Sequence, residues 1–209
     1  DPRIVPAARL LKEDPGDSLM EMCRWGAKVL HYRSVEVALK SKVPLAIGRS
    51  DNFEVGTRVI YSNGASFSAV NSIHDVHQLS VKASSKDEAL KLLFSRLDSS
   101  RLPYPEILDC DINGPDIHIT YYSDVDSLNA MKKTFTQGAI QLEPQIFSSV
   151  TVTGTLQVDG SYAEKLYKVL SGAKIKSSKA ILTPYSASFL VPQESRIKTV
   201  QILHEAVQT

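Results

Sequence analysis

Hydrophobic positions in the first sixty residues recur at helical spacing and then give way to short apolar runs. Ser18 and Glu21 have the spacing of a capping box, and apolar residues return to one face at intervals of three and four between Leu19 and Leu30. This pattern predicts a helix of about three turns. One further helix and two strands are expected in this segment, at residues 34–42, 43–48 and 58–61.

After a turn-rich stretch at residues 62–66, the pattern alternates between short strands and helices and does so twice. Asn113-Gly114 is a strong hairpin signal, and Ser85 with Glu88 has capping-box spacing before a helix. The predicted elements are a strand at 79–83, a helix from Ser85, hairpin strands at 106–111 and 116–122, a helix from Asp124, a strand around 150–152, a helix at 162–170, strands at 180–183 and 187–191, and a helix at 197–207. The repeated order β-α-β-β-α predicts an α+β fold of the ferredoxin-like kind, with two helices on one face of an antiparallel sheet.

Composition and charge are those of an ordinary packed protein. Of the 209 residues, 43% are hydrophobic and 22% are charged, and 24 basic side chains balance 23 acidic ones to leave a net charge of +1. This balance favours neither nucleic acid nor a membrane surface as a partner. No apolar run approaches the ~18 residues of a membrane span, and the two distant cysteines predict unpaired thiols and a cytoplasmic location. The first residue is Asp and not Met, so we expect a piece of a longer protein.

The sequence lacks the common catalytic motifs. It contains no glycine-rich phosphate loop, no His-Glu-x-x-His helix and no nucleophile elbow, so we assign no catalytic residue. The five histidines are scattered, and even the closest pair, His74 and His77, is more typical of a solvent-facing segment than of a metal site. No metal ligand is therefore assigned.

Two motifs resemble the end of the kinase domain of aspartate kinases. The chain opens with Asp-Pro-Arg-Ile-Val-Pro, and Gly-Ala-Lys-Val-Leu-His follows about twenty-five residues later, at residues 26–31. The resemblance implies that residues 1–65 are the C-terminal remnant of an α/β amino-acid-kinase domain. It also implies two following ACT domains, each ferredoxin-like βαββαβ, the first at 76–140 and inserted into the second, which comprises 66–75 and 141–209. The strand Phe67–His74 would belong to the second ACT domain.

The family phosphorylates L-aspartate with ATP and Mg²⁺, giving 4-phospho-L-aspartate for lysine, threonine and methionine synthesis. The resemblance therefore makes Arg3 and Lys28 nucleotide contacts, although each residue on its own has the pattern of a surface cation. The family's aspartate-binding motifs lie outside this chain. We therefore expect no kinase activity from the 209 residues alone and no cofactor bound to them.

Paired ACT domains in this family associate as a dimer and hold an amino-acid effector, lysine or threonine. The first candidate loop lacks the Pro and Gly common in the family, and Tyr32 replaces the usual Pro after His31. An alternative is therefore a non-catalytic ACT-type module for ligand binding or oligomerisation, without amino-acid feedback. A ferredoxin-like RNA-binding domain has little support, because the strands lack a basic-aromatic pattern. The candidate effector residues are Ser84, Ser85, Lys86, Asp87, Asp109, Asp159 and Gly160.

Overall fold

The chain forms an α+β structure that divides into two compact units. A computed structural model describes residues 1–52, 54–61, 67–99, 106–113, 116–122, 140–154 and 160–208. The first unit comprises residues 1–73 and 149–209, and the second comprises residues 74–148. The segment expected to be an inserted ACT domain, 76–140, lies within the second unit. The expected kinase remnant, 1–65, lies in the first unit together with residues 66–73 and 149–209 of the expected second ACT domain, whereas residues 74–75 and 141–148 fall in the second unit.

The N-terminal segment consists of two short helices and a three-stranded sheet. Strand β1 is parallel to β3, and β2 is antiparallel to β3, so the order is β1-β3-β2. Four buried side chains from α1, α2 and β3 form its core: Leu19, Met22, Val35 and Val59. The elements are β1 (Glu13–Pro15), α1 (Gly16–Arg24), α2 (Tyr32–Lys40), β2 (Ala46–Gly48) and β3 (Val55–Ile60).

Helix α1 is shorter than the predicted three turns, because a glycine ends it at Arg24. Gly26 has a φ of 98°, a left-handed conformation that glycine adopts without steric cost. Its N–H donates to the carbonyl oxygen of Cys23 at 3.4 Å, and the N–H of Ala27 donates to that of Met22 at 2.9 Å. These two bonds form a Schellman motif, which stops the helix and satisfies its last carbonyl groups.

The predicted capping box at Ser18 and Glu21 is wrong. The helix begins two residues earlier, at Gly16, and its N-cap residue Pro15 makes no side-chain capping bond. Ser18 and Glu21 therefore lie inside the helix, where both are buried. Buried polar side chains need hydrogen-bond partners within the protein, so these two residues acquire a different role.

The remaining elements follow the predicted order, with one large difference. The strands expected at 67–74 and at 79–83 are parts of a single strand of 16 residues. The helix expected from Asp124 lies outside the described residues. The elements are β4 (Phe67–Lys82), α3 (Lys86–Ser99), β5 (Glu106–Asn113), β6 (Asp116–Tyr122), β7 (Ile140–Leu142), β8 (Phe147–Gly154), α4 (Gly160–Gly172), β9 (Lys179–Thr183), β10 (Ser186–Pro192), a 3-10 turn at Gln193–Ser195 and α5 (Arg196–Gln208).

In the first unit, strands β4, β8, β10 and β9 lie side by side in that order, and β9 and β10 are antiparallel. The apolar residues of β8 and β10 pack with helices α4 and α5 on one face of this sheet. Because side chains alternate along a strand, the opposite face receives the intervening hydroxyl residues. The buried core of the helical face includes Val70, Val150, Val152, Leu166, Leu170, Phe189, Val200 and Leu203.

In the second unit, β6 lies between β5 and β4, and β7 pairs with β4 as well. Strand β4 pairs antiparallel with β6, and β5 and β6 form the hairpin predicted from Asn113-Gly114. Helix α3 covers this sheet with Ala89 and Leu93, which pack against Leu79 and Ile119.

Candidate functional site

Arg3 is an exposed cation on a segment whose backbone is held by helix α5. Its guanidinium contacts the carboxylate of Asp1 at 2.7 Å, with an exposed fraction of 88% for the arginine side chain. Exposed pairs of this kind contribute little stability, so an anionic ligand could compete for the arginine. The next two residues are fixed: Val5 is buried in the core of the first unit, and the Ile4 carbonyl oxygen accepts from Gln201 Nε2 at 3.1 Å.

Lys28 lies in the turn after α1 and not on the helix as predicted. The Schellman motif precedes it, and the N–H of Val29 donates to the Ala27 carbonyl oxygen at 2.8 Å. His31 then serves as the N-cap of α2, because its Nδ1 accepts from the Arg33 N–H at 3.3 Å. Lys28 is exposed. Within the described ranges, no hydrogen bond or ion pair joins Lys28 to Arg3.

Gly26 brings the turn that carries Lys28 into contact with strand β4. A Cβ atom at position 26 would lie 2.6 Å from the Ser72 carbonyl oxygen and 2.9 Å from Ile73 Cγ1. Only glycine therefore combines this approach with the positive φ. The turn therefore packs directly against the backbone of β4.

Glu21 attaches helix α1 to the same sheet at a second place. One of its carboxylate oxygens, Oε2, accepts from Trp25 Nε1 at 3.0 Å, from Ser186 Oγ at 3.0 Å and from Thr183 Oγ1 at 3.5 Å. Trp25 is fully buried and Glu21 is 8% exposed. Our sequence reasoning missed this cluster because it assigned Glu21 to a capping box. The available signal was the spacing of Glu21 and Trp25, which are one helical turn apart.

Hydroxyl groups line the part of the sheet near Glu21. Thr183 Oγ1 and Ser186 Oγ lie 2.7 Å apart across the β9–β10 turn, and the N–H of Tyr185 donates to Thr183 Oγ1 at 3.3 Å. Two residues further along β10, Ser188 Oγ accepts from Thr151 Oγ1 at 2.8 Å. Of these hydroxyl groups, those of Thr183 and Ser186 hold α1 through hydrogen bonds to Glu21, and the Thr151–Ser188 bond lies within the sheet.

Asp14 is a buried acid at the start of the α1 segment. It is 1% exposed, and its Oδ1 has no hydrogen-bond partner among the described residues. Burial raises the pKa of Asp14 to about 6, against a smaller opposing effect from its hydrogen bond with Ser18. The nearby Cys23 thiol also has a raised pKa, mainly through burial and partly through the charge of Asp14.

We expect Asp14→Asn to stabilise the protein at alkaline pH. The folded state binds the Asp14 proton more tightly than the unfolded state, so stability falls as pH rises from about 4 through about 6. The amide removes this cost, with an expected gain of about 2 kcal/mol near pH 8 that shrinks toward pH 4. Urea unfolding at several pH values measures it. Asp17→Asn, at an exposed position of α1 three residues further along, is the control and should give no such gain. Equal behaviour of both variants would contradict the assignment.

The first candidate effector loop uses its donors internally. The Ser84 N–H donates to Glu88 Oε2 at 3.1 Å, Ser84 Oγ also donates to that oxygen, and Ser85 Oγ accepts from the Glu88 N–H at 3.2 Å. The predicted capping box is thus formed in altered form. Ser85 caps the Glu88 N–H as predicted, but the Glu88 carboxylate bonds to the preceding residue, Ser84. These bonds lower the pKa of Glu88, first through the Ser84 side chain and then through its backbone. Lys86 and Asp87 are exposed in the first turn of α3.

The structure does not bring the other effector candidates to this loop. Asp109 pairs in register with Thr120, which pairs with Gln78. Gln78 lies four residues before the end of β4, so Asp109 is displaced by about 13 Å along the strands from the loop. Asp159 lies outside the described residues. Gly160 is exposed at the first position of α4, and a Cβ there would meet nothing within 4 Å.

The described part of the chain offers neither a metal-ligand cluster nor a membrane-spanning helix. It contains no group of three or more His, Cys, Asp or Glu side chains that could hold a metal ion. None of its helices is long and apolar enough to cross a membrane.

The chain is similar to known proteins in sequence and in fold. No protein-family model matches the chain. A curated aspartokinase from Geobacillus stearothermophilus is 23% identical over 219 aligned positions, which cover 99% of this chain and 53% of that protein. An aspartate kinase from Pseudomonas putida is 44% identical over 59 residues, 28% of this chain and 14% of the relative. Among solved structures, Escherichia coli aspartokinase III in complex with aspartate and ADP (R-state) has a TM-score of 0.79 at 19% identity, covering 100% of this chain and 49% of that one.

The chain is similar to the C-terminal regulatory region of aspartate kinases. The predicted resemblance is thereby confirmed. The chain spans about half the length of the aspartokinases that it matches from end to end. The same Escherichia coli aspartokinase in complex with lysine and aspartate (T-state) has a TM-score of 0.75 at 21% identity. The regulatory subunit of Thermus thermophilus aspartate kinase, in its ligand-free form, has a TM-score of 0.52 at 15% identity and covers 67% of this chain and 97% of its own.

Proposed function

We propose that the chain is the regulatory region of an aspartate kinase, joined to the last part of the kinase domain. The observation that carries this proposal is the match to aspartate kinases over the whole chain, in sequence and in fold. In the parent enzyme, ATP with Mg²⁺ would phosphorylate L-aspartate, and the two ACT domains would regulate that reaction. The Thermus regulatory subunit matches about the share of the chain that we predict to be ACT domains, which supports this division.

Arg3 and Lys28 are the proposed nucleotide contacts of this region. Both are exposed cations on segments whose backbones are fixed by neighbouring packing, the first by Gln201 and Val5 and the second by Gly26. A rigid backbone with an exposed cationic end suits recognition of phosphate oxygens, because less conformational freedom is lost on binding. The rest of the nucleotide site would come from parts of the kinase domain outside these 209 residues. We therefore expect no phosphorylation of aspartate by this chain alone.

An amino-acid effector is proposed for the ACT domains, with lysine or threonine as the candidates. Support for lysine comes from the fold shared with an aspartokinase solved in complex with lysine. In this chain, Lys86 and Asp87 present one positive and one negative group in the first turn of α3, which suits the two charged groups of an amino acid. The effector would change activity only if it bound one kinase conformation more tightly than the other.

The second candidate function is an assembly module without amino-acid feedback. One observation favours it: the Ser84 N–H and hydroxyl already donate to Glu88 and so are occupied in the absence of an effector. Asp109 also lies away from this loop by the register of β5, β6 and β4. Self-association as a dimer is proposed under both functions.

Titration calorimetry with lysine and with threonine, combined with light scattering for the oligomeric state, distinguishes the two functions. The regulatory proposal expects one amino acid to bind and Asp87→Asn to weaken its binding about tenfold, because a charged hydrogen bond is lost. Asp17→Asn, an exposed acid on α1, is the matched control and should bind normally. A dimer that binds neither amino acid would overturn effector regulation and support the assembly module.

A further inference from the structure

Helix α1 is fixed to the sheet of the first unit at both ends of its last turn. At one end, Glu21 accepts hydrogen bonds from Ser186 and Thr183 of the β9–β10 hairpin. At the other end, the Gly26 turn lies against the carbonyl oxygen of Ser72 in β4. Between them, the indole N–H of Trp25 donates to the same Glu21 oxygen. The turn that carries Lys28 therefore lies between two attachments, one to strand β4 and one to the β9–β10 hairpin.

The hydrogen bonds of the Glu21 carboxylate fix the position of α1 on the sheet, because hydrogen bonds depend on direction. A buried carboxylate is costly unless donors surround it, and bonds to a charged acceptor are stronger than bonds between neutral groups. Three donors converge on Oε2: the Trp25 indole at the end of α1, Thr183 of β9 and Ser186 of β10. An apolar contact would allow the helix to slide over the sheet, whereas this arrangement satisfies the carboxylate in one position of α1 only. The contact therefore sets the position of the helix.

The β9–β10 turn takes part in the same network. Thr183 Oγ1 accepts from the Tyr185 N–H at 3.3 Å and lies 2.7 Å from Ser186 Oγ. A change in the conformation of this turn would alter the donors that reach Glu21. The network thus forms a continuous path of hydrogen bonds from the hairpin to the end of α1.

We propose that Glu21 is a positioning residue, through which the β9–β10 hairpin sets the conformation of the turn that carries Lys28. The proposal rests on the proposed function, in which the sheet belongs to a regulatory domain and Lys28 contacts the nucleotide. Glu21 itself touches neither nucleotide nor effector. Its role is to transmit the state of the hairpin to the end of helix α1.

The test compares Ser186→Ala with Ser188→Ala in the intact 209-residue chain. Both serines are buried and both are on the same face of β10. Ser186 bonds to Glu21 and to Thr183, whereas Ser188 bonds to Thr151 and not to Glu21. Two measurements report on α1: the fluorescence of Trp25, the only tryptophan of the chain, and amide hydrogen exchange at Ala27 and Val29, whose N–H groups are hydrogen-bonded in the turn.

We expect Ser186→Ala to shift the Trp25 emission and to speed exchange at Ala27 and Val29 about fivefold, as expected for the loss of one hydrogen bond. Ser188→Ala should leave the emission unchanged and the exchange within about twofold. Exchange in β6 of the second unit serves as the reference for global unfolding. Equal effects of the two serine variants, or no effect of Ser186→Ala, would overturn the proposal.

A second pair of variants keeps the test valid if Ser186→Ala folds poorly. Glu21→Gln retains an acceptor oxygen and should change exchange at Ala27 less than Glu21→Ala, which removes the acceptor. Equal effects of these two variants would contradict a hydrogen-bonded positioning role. Neither amino acid nor nucleotide is added in these measurements. The positioning role can therefore fail while effector binding holds, and the reverse is also possible.

Discussion

Replacing Gly26 by alanine should lower the free energy of unfolding by at least about 2 kcal/mol. A Cβ atom at this position would lie 2.6 Å from the Ser72 carbonyl oxygen, which belongs to the backbone of β4 and cannot move without disturbing the sheet. The positive φ of 98° adds a conformational cost of about 1 kcal/mol or more for any residue with a side chain. Urea unfolding followed by circular dichroism measures the change, with an expected fall in melting temperature of roughly 5 °C or more.

Gly172→Ala is the matched control for this experiment. Gly172 is the last residue of α4, and a Cβ there would meet nothing within 4 Å. Alanine should be neutral at this position or stabilise the helix by up to about 1 kcal/mol. If Gly26→Ala were as stable as Gly172→Ala, the turn after α1 would not be seated on β4 as described.

Trp25→Ala should produce the largest loss of stability among the variants considered, about 3–5 kcal/mol. The side chain is fully buried, and its removal loses apolar contact area and leaves a cavity. It also removes one of the donors that satisfy the buried Glu21 carboxylate. Because natural domains are stable by about 5–15 kcal/mol, this variant would lose a large part of its stability. Denaturant unfolding followed by far-UV circular dichroism gives the value without relying on tryptophan fluorescence.

Two controls separate the volume of Trp25 from its hydrogen bond. Trp25→Phe keeps an aromatic ring and loses the indole N–H, so we expect a loss of about 1–2 kcal/mol. Tyr167→Ala removes an aromatic side chain that is 54% exposed and should cost less than about 1 kcal/mol. A small effect of Trp25→Ala, similar to that of Tyr167→Ala, would contradict the burial of α1 against the sheet.

Strong periodic patterns in the sequence were sufficient to predict most of the regular elements. Helices α4 and α5 follow from apolar residues at helical spacing, and β5 and β6 follow from alternation around Asn113-Gly114. The family resemblance came from two local motifs, because short motifs keep their spacing when the rest of a sequence diverges. These features are local, so a single sequence contains them.

Features that depend on distant contacts could not be predicted in the same way. Glu21 has the spacing of a capping residue, but in the fold it is buried and bonds to the hydroxyl groups of Ser186 and Thr183 in the sheet. The burial of Asp14 likewise follows from packing of separate segments. The sequence predicts two strands in place of β4, because Asn71, His74 and Asp75 interrupt the apolar pattern. In the fold, pairing with neighbouring strands supports one continuous strand. The role of Gly26 combines a local signal, a helix end, with a contact to Ser72 that only the fold provides.

Thermal unfolding of the chain in the presence of lysine or threonine tests the central claim most directly. A regulatory region that binds one of these amino acids is stabilised by linkage, by about 2.7 kcal/mol at a hundredfold excess over the dissociation constant. For a chain of this length, that corresponds to a rise of roughly 5–10 °C in the melting temperature. We predict that one of the two amino acids gives a rise that grows with its concentration, while glycine at the same concentrations gives none. Equal melting temperatures with lysine, threonine and glycine would contradict the account of this chain as an effector-binding regulatory region.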